Sequence, residues 1–315
     1  MIVWGIFISA ILFALALDLG VFNRKAHVIS TKEASIWTMI WVSLAFAFSG
    51  VIYWLYGTDL IDNPSNMPPL DAMIKYITGY LIELSLSIDN IFVIAVIFSS
   101  FNVPQKFQHR VLFWGILGAI VFRAIMIFFG VALINRFSWM IYLFGAFLLY
   151  TAYKMLVSKD QDFDPHNSFV FKQIRKVIPI TKKIDGEHFF IRKKHIYAAT
   201  PLFVVLLVIE GTDILFALDS IPAILAITSD PFLVFSSNIM AILGLRSMYF
   251  FLSNMLEKFH YLKYSLVAIL SFVGIKMLLA EYVHLPEWVS LAFIAFSLGV
   301  GIVVSLNSST YQKNS

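Results

Sequence analysis

Nine apolar runs, at 2–22, 35–57, 72–99, 111–134, 139–157, 197–228, 232–254, 262–281 and 287–306, constrain this chain more than anything else in it. A hydrocarbon core about 30 Å thick takes about 20 residues of helix to cross. Inside it, every backbone N–H and C=O of such a run must be satisfied, which favours helices. The runs predict an all-α polytopic membrane protein with about nine transmembrane helices. Charged residues make up 13% of the chain, roughly half the share usual in soluble domains. The third and sixth runs are longer than a perpendicular crossing needs, so they predict tilt or an interrupted helix. Cysteine is absent, which excludes disulfides and thiolate chemistry on this chain. The first run lacks a basic leader and continues into Asn23, Arg24 and Lys25, so it reads as a retained span.

Basic residues set the orientation. With the N-terminus outside, seventeen of the 23 Lys and Arg fall in inner segments, and one, Arg136, falls in an outer loop. The positive-inside rule predicts that bias, with the C-terminus cytoplasmic. It also accounts for the net charge of +4 without a nucleic-acid partner. The segment 158–196 mixes Asp160, Asp162 and Asp164 with Lys172, Arg175, Lys182 and Arg192. It reads as a cytoplasmic linker whose bases meet anionic lipid headgroups.

Six carboxylates interrupt the apolar runs: Asp18, Glu83, Asp89, Glu210, Asp213 and Asp219. Each costs about 3 kcal/mol at the centre of a bilayer, so such residues are rare unless they act. Arg123 and Arg246 lie near mid-span and are candidate counter-ions. Two bases cannot neutralise six acids, and the surplus negative charge predicts a bound cation with protons. Ser85, Ser87, Asn90, Thr212 and Ser220 offer further oxygens. Residues six apart on a helix are rotated by about 240°, so one straight helix does not put Glu83 and Asp89 on one face. Local unwinding, or service at different points along a path, would resolve this. Pro222 would free a carbonyl near Leu218. Asp18, at the inner end of the first run, is a helix-end residue or part of a pathway mouth.

The halves repeat. Glu83 and Asp89 align with Asp213 and Asp219; Arg123 and Arg246 follow in the next spans, and Lys154-Met155-Leu156 and Lys276-Met277-Leu278 in the spans after those. The unit is three spans, 72–157 and 197–281, joined by the inner linker 158–196. An N-terminal segment, 1–71, and a C-terminal span and tail, 282–315, flank them. An odd number of spans makes the second copy inverted, which predicts a site near the midplane where the copies meet. Glu210 belongs to one half only, so the site is asymmetric.

The seven histidines fall in loops or at span ends. An all-oxygen site suits Mg, Ca or Mn. Neighbouring buried acids titrate together and metal binding displaces protons, so proton antiport is an expectation. No phosphate loop, dinucleotide fingerprint or nucleophile triad stands in an aqueous segment, so an enzyme is not expected. The rivals are a carrier of Ca²⁺ or Na⁺ against H⁺, an assembly factor acting through 158–196, and a membrane-embedded enzyme using an acid pair.

The motifs ELSLSIDN at 83–90, FALDSIP at 216–222, DLGVFNRKAH at 18–27 and KEA at 32–34 resemble the TerC family, including its Alx-like manganese exporters of bacterial inner membranes. The resemblance covers nearly the whole chain. It implies Mn²⁺ efflux across the plasma membrane, in metal and alkaline-pH homeostasis. It implies Asp89, Asp219, Glu83, Asp213 and Glu210 as metal-binding acids; Asn90, Ser85, Ser220 and Asp18, read from their positions in the runs, are secondary ligands or a proton path. On this reading Mn²⁺ is a transported substrate, no cofactor is held permanently, and the partners are the ion, protons and lipids. The sequence does not give an oligomeric state.

Overall fold

The computed structural model describes residues 2–17, 30–63, 66–137, 139–157, 188–193, 196–253, 262–279 and 285–313, with single positions at 181, 186 and 282. Among these residues the helices are α1 (Ile2–Leu17), α2 (Thr31–Gly57), α3 (Pro69–Ser100), α4 (Gln105–Arg136), α5 (Met140–Val157), α6 (Pro201–Leu225), α7 (Pro231–Leu252), α8 (Leu262–Leu278) and α9 (Glu287–Lys313). Seven are long and apolar enough to cross a membrane; α1 and α8, at 16 and 17 residues, are shorter. The chain is an all-α polytopic membrane protein.

Local chemistry starts these helices. Ser30 Oγ accepts from the Glu33 N–H at the head of α2, the spacing of a capping box. Pro69, Pro201 and Pro231 open α3, α6 and α7, where a missing N–H costs nothing. Asp230 caps α7 by accepting from the N–H groups of Phe232 and Leu233.

One expectation changes and one open alternative is decided. The sixth span was expected from 197, but its helix begins at Pro201. Ile196–Ala199 instead forms an antiparallel hairpin with Phe190–Lys193, pairing Phe190 with Ala199. The long spans are also uninterrupted: α3 and α6 run as helix through positions 89 and 219. The 32 residues of α3 measure about 48 Å. Pro222 lies inside α6, three residues from its end, so the lost backbone bond falls in its last turns.

Helix α7 is the axis of the bundle. It is enclosed on all sides, packing on α2, α3 and α4. Its apolar residues run all round, as an interior helix requires. Helices α3 and α4 each pack on both α6 and α7, α5 packs on α8, and α9 covers α8 and α3. The α5–α8 crossing is close. A Cβ on Gly145 would stand 3.0 Å from the Gly274 carbonyl oxygen, and a Cβ on Gly274 would stand 3.0 Å from the Gly145 carbonyl oxygen. Small residues permit such approach between membrane helices. Between α8 and α9, Lys276 Nζ donates to Ser290 Oγ at 2.9 Å and Ser265 Oγ to the Ser297 carbonyl at 2.7 Å. Exposed Val121, Ile125, Phe128 and Phe129 on α4, and Leu143 and Tyr150 on α5, give the outer surface the apolar character that lipid contact demands.

Candidate functional site

Four helices bring polar side chains together about midway along their lengths. Glu83 comes from α3, Arg123 from α4, Asp213 from α6 and Asn238 from α7. Arg123 is fully enclosed, as are Glu83 and Asn238. One edge of the guanidinium meets Asp213: Nη2 donates to Oδ1 at 2.9 Å and Nε to Oδ2 at 3.2 Å. This is the two-pronged geometry that makes Arg–carboxylate pairs strong. Nη1 turns the other way and donates to Glu83 Oε1 and to Asn238 Oδ1 at 3.3 Å. The Asn238 amide closes the ring by donating Nδ2 to Glu83 Oε2 at 3.0 Å. The Ser220 hydroxyl, also buried, makes no hydrogen bond among the described residues.

Charge arithmetic follows from this geometry. Two carboxylates share one guanidinium, which leaves a formal negative charge in a buried place. Glu210 adds to it. It stands one turn before Asp213 on α6, within electrostatic reach of that carboxylate. Its carboxylate fills a notch where α4 has Gly118: a Cβ there would come to 2.1 Å from Glu210 Oε1. Glu210 Oε2 is buried without a hydrogen-bond partner among the described residues.

Asp213 is the least enclosed member of the ring, with its side chain 14% exposed. It lines a cavity of ≈ 20 Å³ together with Asn90, Thr212 and apolar residues of α4, α6 and α7. That is room for about one water. Wider clefts open at the two ends of the bundle. One, of ≈ 620 Å³, lies among Ser30, Ser99, Asn102, Gln108, Tyr249 and Ser253; the other, of ≈ 640 Å³, among Asp62, Lys75, Asn135, Thr228 and Asp230.

Near the first cleft lies a second polar group. Arg246 Nη1 stands 3.0 Å from His109 Nε2, both buried. Tyr249 donates to Gln108 Oε1 at 3.0 Å, and Gln108 Nε2 donates to the Val103 carbonyl at 3.1 Å. His109, read from the sequence as a span-end residue, is thus packed inside the first turns of α4.

Of the acids singled out in the sequence, Glu83, Asp213 and Glu210 gather on the α3–α4–α6 seam. The side chains of Asp89 and Asp219 lie outside the described residues, as does all of Asp18. Among the described residues, no three Asp, Glu or His side chains form a ready metal cage. Ser85 is buried and its hydroxyl makes no hydrogen bond among the described residues. The sequence reading passed over Asn238, since the uncharged oxygens it weighed all lie on the two carboxylate-rich spans. Its signal was the polar triplet Ser236-Ser237-Asn238 within an otherwise apolar span. It also passed over Gly118, whose lack of a side chain admits Glu210.

The description "Integral membrane protein TerC family" matches residues 69–314. A Myxococcus xanthus protein, "Uncharacterized membrane protein STKORF319", is 51% identical over 312 residues, covering 99% of this chain and 94% of that protein. The Escherichia coli (strain K12) protein named "Putative membrane-bound redox modulator Alx" is 44% identical over 306 residues, covering 96% and 92%. Its Salmonella typhi namesake is 43% identical over 305 residues, covering 96% and 94%. No solved structure matches.

Proposed function

The chain belongs to the integral membrane protein TerC family, and on that footing we propose that it carries Mn²⁺ out across the plasma membrane, in exchange for protons. One observation carries the reading: a carboxylate-rich centre, short of positive charge, enclosed midway between two clefts. Uncompensated charge is too costly inside a membrane to persist without use. Oxygen ligands alone suit a hard divalent ion. The proposed ligands are Asp89, Asp219, Asp213 and Glu210, with Asn90, Ser85 and Ser220 as secondary oxygens; Glu83, held by Arg123 and Asn238, completes the acid cluster. On this reading the protein is a carrier and not an enzyme.

The pairing of helices supports inverted repeats of three spans. If α3, α4 and α5 correspond to α6, α7 and α8, each helix packs on its counterpart. The cross-pairs α3–α7 and α4–α6 are also reciprocal, as a two-fold axis in the membrane plane requires. The proposed topology has nine spans, with α1 and α8 the shorter two, the N-terminus outside and the C-terminus in the cytoplasm of a bacterial inner membrane. The cleft beside Tyr249 is then the inner mouth.

The Alx relatives are named for redox modulation. This chain has no cysteine, so its own side chains cannot carry thiol–disulfide exchange. Control of the level of a redox-active ion such as manganese reconciles that name with a carrier.

Reconstituted proteoliposomes loaded with a metal-sensitive dye test the proposal. Mn²⁺ flux should exceed that of Ca²⁺, Mg²⁺ and Na⁺, respond to a pH gradient, and collapse in Asp213→Asn and Glu210→Gln. Absence of flux for every ion, with the protein folded, would sink it. Flux of Ca²⁺ or Na⁺ in place of Mn²⁺ would reassign the cargo.

A further inference from the structure

We infer that Arg123 is a resident cation of the carrier: it occupies Asp213 when the site is empty, stays anchored on Glu83 and Asn238, and yields Asp213 to the incoming divalent ion. This rests on the carrier reading above and deepens it. The two edges of the guanidinium are unlike. The Nη1 edge is fixed, because Glu83 and Asn238 are fully enclosed and also bonded to each other. The Nε–Nη2 edge holds Asp213, which is partly open and lines the small cavity. Glu210 stands one turn away with an oxygen free of hydrogen bonds among the described residues. An ion reaching that cavity therefore meets Asp213, with Asn90 and Thr212 beside it and Glu210 one turn away on α6, while Glu83 keeps the arginine. Glu83 and Asn238 act as positioning residues for Arg123.

Valence selection follows. A monovalent ion brings no more charge to Asp213 than the guanidinium it must displace, and it lacks the two-pronged hydrogen bonds. A divalent ion brings twice the charge and can draw on Glu210. Displacement also opens the Arg123–Asp213 link between α4 and α6, which is a contact between the two proposed repeats.

The test measures Mn²⁺ binding to purified full-length protein in detergent, reading free Mn²⁺ by its EPR signal, with and without excess Na⁺. The main variant is Arg123→Gln/Glu83→Gln, which removes opposite charges together. If the arginine-bound state outweighs the open one by ten to one, the apparent Kd should tighten about tenfold in the variant. Na⁺ should compete there and not in the wild type, and Mn²⁺ turnover in proteoliposomes should slow. A structural role alone would not change the response to Na⁺. Should the double variant fail to give a monodisperse peak, Arg123→Lys serves. One ammonium cannot hold both carboxylates as the fork does, so Mn²⁺ binding should again tighten. A folded variant that binds Mn²⁺ no more tightly than the wild type, or more weakly, overturns the inference while leaving the carrier reading intact. Failure of the wild type to bind or move Mn²⁺ overturns both.

Discussion

Arg123 and Arg246 hold corresponding places in the two halves of the sequence, yet they live in different surroundings. Arg123 is locked midway along the bundle by Glu83, Asp213 and Asn238. Arg246 lies nearer one end and faces the His109 imidazole, among the glutamine and tyrosine of the cleft wall. Repetition of a motif thus placed the same residue type twice with different neighbours among the described residues. The neighbours brought in by other helices set what each buried base meets.

The sharpest way to break that comparison is to remove each base in turn. Arg123→Met leaves Glu83 and Asp213 enclosed without a counter-charge, a loss of about 3–5 kcal/mol. Arg246→Met is expected to cost less, because Arg246 is less enclosed and lies nearer the end of its helix; thermal unfolding of the two variants in the same detergent checks the order. Equal or reversed losses would erase the distinction. Next comes Asn238→Leu, which strips an amide donor from Glu83 Oε2 and should cost about 1–3 kcal/mol. A glycine pair separates packing from charge. Gly145→Ala meets a backbone carbonyl that cannot move aside, so it should cost about 1–3 kcal/mol. Gly118→Ala meets the tip of Glu210, which can rotate; its melting should barely change while Mn²⁺ flux falls. The smallest effect belongs to the cleft wall: Tyr249→Phe removes one hydrogen bond to Gln108 and should cost about 1 kcal/mol, with flux retained.

The spans were legible because lipid imposes a length and an apolar character on any helix that crosses it. The two long spans were legible as long, but not as uninterrupted. The expectation of unwinding came from asking Glu83 and Asp89 to share one face. Glu83 instead turns to Arg123 on α4, and the side chain of Asp89 lies outside the described residues. The hairpin at Phe190–Lys193 and Ile196–Ala199 was hidden within a charged segment. Asn238 was hidden because an uncharged amide hardly alters the hydropathy of its span.

By itself, the sequence determined that this chain is a helical membrane protein with acids set inside its apolar runs, since both follow from composition along each run. Tertiary structure alone decided which acid meets which base. Glu83, Arg123, Asp213 and Asn238 lie 40 to 155 residues from the partners they bond, on four different helices. No periodicity within one helix specifies the rotation of its neighbours. Packing around α7 fixes those rotations, and with them the ring of side chains at the centre.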